Sequence, residues 1–134
     1  MTNQSPPSFI LLTDLHLSDT PDTAAHHALA WAVDAINEEQ PDFLAIAGDV
    51  TTFGTQPATA HFLAKLKRVQ IPVLFTPGNA ELRSGEGLPL LGDWRTLANR
   101  NYQSDTLSAL LPDTSTSALP AAERQWLEHM ASAH

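Results

Sequence analysis

Asp14-Leu15-His16, Gly48-Asp49 and Gly78-Asn79 are the residues of this sequence whose types and spacing could do chemistry. An i, i+2 spacing on extended backbone points the Asp14 carboxylate and the His16 imidazole the same way. In Gly48-Asp49 the glycine lets the chain turn and the carboxylate project. Asn79 offers an amide oxygen after another glycine. Carboxylate, imidazole and amide together suit a borderline divalent ion such as Mn²⁺, Fe²⁺ or Zn²⁺. Singly, each motif is commonplace. Asp-x-His also reads as a surface turn with a capping aspartate, and Gly-Asp and Gly-Asn as plain turns. Their weight is joint, and it depends on the elements that carry them.

Each motif follows an apolar run. Phe9–Thr13, Phe43–Ala47 and Pro72–Thr76 are continuous apolar stretches that read as strands buried on both faces. Between the first two, Ala25, Leu29, Ala32, Val33 and Ile36 form a helical stripe within about Asp22–Glu39. Thr20 or Asp22 is the candidate cap, Pro21 suits the first turn, and Pro41 ends the helix. A second helix, from about Pro57 to Val69, carries Phe62, Leu63, Leu66 and Val69 on one face. Strands joined by helices of this length run parallel. The expected fold class is therefore α/β, a parallel βαβαβ sheet with flanking helices. In such sheets ligands gather outside the carboxyl ends of the strands, where all three motifs fall. Beyond Arg83 the pattern thins. A short helix around Leu91, Trp94 and Leu97, a fourth strand over Thr106–Leu111 and a helix over Ala121–Ala133 are expected, the last with Ala122, Trp126 and Met130 spaced by four.

In this order, at these strand ends, the motifs resemble the calcineurin-like metallophosphoesterase family, whose pattern is D-x-H, then G-D, then G-N-H-D/E. Here it reads Asp14-Leu15-His16, Gly48-Asp49 and Gly78-Asn79-Ala80-Glu81. Glu123–Glu128 also resembles the helix that precedes the family's next metal histidine. The resemblance implies a fold that is half of the family's αββα sandwich, and two divalent metal ions. Asp14 and His16 would bind the first, Asp49 would bridge both, and Asn79 would bind the second while approaching the phosphate. The implied reaction is in-line attack of activated water on a phosphodiester or phosphomonoester, with a small-molecule phosphate ester as substrate. Arg83 is close enough in sequence to touch that phosphate, although a solvated arginine is the competing reading.

Two departures qualify the resemblance. Ala80 stands where the family has a histidine that assists the leaving group, which shifts the expected substrate towards phosphodiesters. Glu81 loses that histidine as a partner and is expected merely to cap or to be solvated. The family's later histidine motifs are not found before His134, so residues 1–134 are expected to form a single, incomplete domain. His26, His27, His61 and His129 read as surface helix residues, and His134 as a terminal residue rather than a ligand.

Composition narrows the remaining classes. The formal net charge of −8 counts against nucleic acid as a partner, so a phosphate substrate would need local positive charge. With no cysteine, disulfides, thiolate metal sites and cysteine nucleophiles are excluded. No apolar run is long enough for a signal peptide or membrane span, and a cytoplasmic location is the default expectation. An inactive binding scaffold on the same fold is the alternative function, favoured by Ala80. An aspartyl-nucleophile phosphatase would want a carboxylate where His16 sits. Because the helices are expected to cover one sheet face only, the other should present an apolar patch and invite self-association.

Overall fold

The computed structural model describes residues 6–92, 100–114 and 118–132. Three parallel strands, β1 (Phe9–Leu12), β2 (Phe43–Ala47) and β3 (Val73–Thr76), form a sheet in the order β1-β2-β3. The register pairs Phe9 with Phe43 and Leu44 with Val73. Helix α1 (Ala24–Glu39) and helix α2 (Gln56–Leu66) are the crossovers. α1 begins at Thr23, whose side chain makes no capping bond, so Thr20, Asp22 and Pro21 lie outside the helix. It ends where Gln40 turns left-handed, just before Pro41. α2 is capped by the Thr55 hydroxyl, which accepts from the Ala58 N–H, and it stops at Leu66 rather than Val69.

Both crossover helices pack on one face of the sheet. Leu29, Val33 and Ile36 of α1 and Phe62 of α2 meet Leu44, Ile46 and Phe75, with Leu17 and Val50 from the strand-end loops completing this core. Residues alternate faces along a strand, so Phe43, Ala45 and Leu74 point the other way. An antiparallel hairpin covers them, formed by β4 (Asn101–Gln103) and β5 (Ser108–Leu110) and packing through Tyr102, Leu107, Ala109 and Leu111. The segment expected as a fourth strand is thus one arm of a separate hairpin, and the sheet face expected to be bare is largely filled. β1 differs from expectation in the same respect. It is an edge strand, and Phe9 and Leu11 remain 53% and 56% exposed.

Short helices α3 (Asn79–Ser84) and α4 (Leu88–Leu91) follow β3, and α5 (Ala121–Ser132) closes the described chain. Trp94, Leu97, Ala133 and His134 lie outside the described residues. α5 is tied to the hairpin: buried Arg100 pairs with Glu123 and lies 4.1 Å over the Trp126 ring, while the Asp113 N–H donates to Glu123 Oε1 at 2.6 Å. Among the described residues no helix is long and apolar enough to cross a membrane.

Candidate functional site

Beyond their last paired residues, β1 and β2 continue side by side into the loops that carry the motifs. The Asp14 N–H donates to the Gly48 carbonyl, the His16 N–H to the Asp49 carbonyl and the Leu17 N–H to the Val50 carbonyl. Two residues advance on the first loop while one advances on the second, so Leu15 is an inserted residue, as in a β-bulge. The offset matters because it returns His16 to the Asp14 side. Nε2 of His16 lies 3.7 Å from Oδ1 of Asp14, with both side chains largely exposed.

This arrangement requires unusual backbone. Asp14, His16 and Asp49 all have positive φ, at 55°, 52° and 51°, and Gly48 has φ 77°. For a residue with a Cβ this region costs on the order of 1 kcal/mol, and it persists only where surrounding structure enforces it. The enforcement is visible. Besides the bonds above, Thr13 Oγ1 donates to the Ala47 carbonyl, and Thr52 Oγ1 to the His16 carbonyl. All three candidate donors of the first two motifs are therefore held in strained conformations at the carboxyl end of the sheet.

The third motif presses against the second. Gly78 packs so closely on Asp49 that a Cβ there would overlap its carboxylate and backbone nitrogen, and Gly48 abuts Gly78 with the same intimacy. Asp49 Oδ1 accepts from the Ala80 N–H at 3.1 Å. Asp49 and Asn79 line one cavity of about 400 Å³ together with Thr76 and, from the hairpin side, Leu110, Leu111 and Pro112. On the opposite side of the loops, Asp14 shares a hollow of about 330 Å³ with Leu12, Leu15 and Trp31.

Glu81 corrects the sequence reading. It is neither solvated nor a mere cap, being 2% exposed. Its carboxylate accepts from the N–H groups of Val50, Thr51 and Gly78 at 3.2, 3.1 and 2.9 Å and from Thr51 Oγ1 at 2.8 Å. Glu81 thus ties the second loop to the third without needing the histidine that Ala80 replaces. The legible signal was its place three residues after Gly78, the capping-box position. The histidines divide. His27 and His129 are exposed, but His26 is 2% exposed and bonded to the first loop, while His61 is only half-exposed. Arg83 is exposed one helical turn after Asn79, on the same face of α3.

Carboxylate, imidazole and amide donors fit a divalent ion in kind. In geometry they stand as two pairs, Asp14 with His16 and Asp49 with Asn79. Among the described residues no three histidine, aspartate or glutamate side chains group closely enough to hold one ion. The four donors expected around a common point are brought to one sheet edge but not into one cage.

No curated protein matches this sequence. A family model does, that of the calcineurin-like phosphoesterases, over residues 7–131. That span takes in the sheet, the three strand-end motifs, the hairpin and almost all of α5. The chain belongs to the calcineurin-like phosphoesterase family.

Proposed function

We propose that the protein hydrolyses small phosphate esters, phosphodiesters foremost, at a divalent-metal site to which Asp14, His16, Asp49 and Asn79 contribute. The observation that carries this reading is the left-handed backbone shared by Asp14, His16 and Asp49. A plain turn gains nothing from three such residues in register, whereas a site that must hold donors at a strand end does. Family membership supports the reaction class.

Bound at these donors, a pair of divalent ions would lower the pKa of a water towards 7 and neutralise charge on the phosphoryl group. The chain's own residues do the rest. Asp14 and His16 supply one donor pair, and Asp49, fixed by the Ala80 N–H and by Gly78, supplies charge between the pairs. Asn79 lines the cavity where the ester would lie, and Arg83 stands one turn further along α3 for a phosphoryl oxygen. Ala80 can donate no proton to a leaving group, so esters with good leaving groups are preferred. Any further metal donors lie outside this set of four.

The test is turnover of bis(p-nitrophenyl) phosphate with Mn²⁺, Fe²⁺ or Zn²⁺. Wild type should turn over, and Asp49→Asn should lower kcat/KM by about a hundredfold or more, as losses of transition-state electrostatics do. Ala80 favours a second reading, a family scaffold that binds without hydrolysis. Absence of both turnover and metal binding with all three ions would overturn the hydrolytic reading and favour that one.

A further inference from the structure

We propose that His26 and His61 are positioning residues, a two-helix clamp on the loop that carries His16. The inference rests on the reading of His16 as a metal donor, but its observations are independent of it. Five bonds already described hold residues 13–17 to the neighbouring loop, all from the β2 side. The next carbonyls face the helices. His26 Nε2 of α1 lies 2.9 Å from the Ser18 carbonyl oxygen, and His61 Nε2 of α2 lies 3.2 Å from that of Asp19. A carbonyl only accepts, so both imidazoles carry their proton on Nε2 and donate. The two rings meet edge to face at 5.3 Å, so each helps fix the other's orientation. The Thr55 hydroxyl at the start of α2 adds a bond to the Asp19 carboxylate.

His26 occupies a place that packing alone would give to an apolar residue. It heads the buried stripe His26, Leu29, Val33 and Ile36. Its Nδ1 is buried without a partner among the described residues, a standing cost that leucine would not incur. What leucine cannot do is donate to Ser18. The strained backbone at Asp14 and His16 needs restraint from both sides, and the histidines provide the second side. They thereby couple the helix layer to the donor loop.

Half-exposed His61 is the residue to change, because its substitution should leave the fold intact. His61→Phe keeps a ring against His26 but removes the donor, whereas His61→Gln keeps an N–H at the reach of Nε2. Amide hydrogen exchange at His16 and Leu17 should rise about tenfold in His61→Phe, as expected for one lost hydrogen bond, and return towards wild type in His61→Gln. Exchange at Leu44–Ile46 should stay unchanged in both. The apparent Kd for Mn²⁺ should follow the same order, about tenfold weaker in His61→Phe. Unchanged loop exchange in His61→Phe, or no recovery in His61→Gln, would overturn the clamp. If exchange follows the predicted order while wild type binds no Mn²⁺, the clamp stands and the metal reading falls.

Discussion

Glu81 concentrates four hydrogen bonds on one buried carboxylate, three of them from backbone N–H groups, of which those of Val50 and Thr51 are buried. Glu81→Ala should therefore cost about 3–5 kcal/mol, the usual loss when a buried charge-assisted network is broken from one side. Glu81→Gln, which keeps one acceptor oxygen, should lie between Ala and wild type. Urea titrations of the three proteins check the order, and a Glu81→Ala protein as stable as wild type would contradict the network. Ala80→His tests the neighbouring position differently. An imidazole there should accelerate esters with poor leaving groups more than activated ones, read as the ratio of kcat/KM for methyl and p-nitrophenyl esters. A uniform effect would remove leaving-group assistance from that position. In sequence, Asp14, His16, Asp49 and Asn79 stood out as candidates because their types and spacing are local. The burial of Glu81 was not, because two of the residues it serves, Val50 and Thr51, are 31 and 30 positions away.

At the scale of elements, continuous apolar runs made the three strands readable, and helical periodicity the two crossover helices. The hairpin was only half readable, since its second arm falls within the strand expected over Thr106–Leu111 while its first arm and their pairing were missed. Its strands have three residues each, too few for an alternation to emerge, and its apolar residues Tyr102, Leu107, Ala109 and Leu111 are spread across both arms. It nevertheless shapes the site, because Leu110, Leu111 and Pro112 wall the cavity in front of Asp49. Tyr102 stacks 4.3 Å from Phe43, which stacks 5.0 Å from Phe9, so one aromatic column spans hairpin and sheet. Truncating that column with Tyr102→Ala should cost about 2–4 kcal/mol in thermal or urea unfolding. The loop contact at Gly78 is tighter still. Gly78→Ala must push Asp49 aside, and both stability and hydrolysis should fall, whereas alanine at exposed Gly92 meets nothing at its Cβ and tests left-handed backbone alone.

For the whole molecule, the hairpin changes what the surface offers. An uncovered sheet face would have been a broad apolar patch; what remains is the edge, Phe9 and Leu11 on β1. Any self-association should trace to that edge. Leu11→Lys should leave the melt within about 0.5 kcal/mol of wild type while abolishing concentration dependence in sedimentation, and association that survives the substitution would place it elsewhere. Burial on the second face was illegible because it is supplied by residues some 60 positions downstream of β2, whose own pattern is weak. On the helix side of the sheet, Trp31 of α1 is 73% exposed and lines the hollow it shares with Asp14. An indole so placed emits into water with an aspartate of the donor pair as a neighbour. A paramagnetic ion settling on Asp14 and His16 would quench that emission, and a diamagnetic one would not. If Asp14 and His16 hold a metal as proposed, Trp31 emission would gauge its occupancy, with Trp31→Phe as the blank.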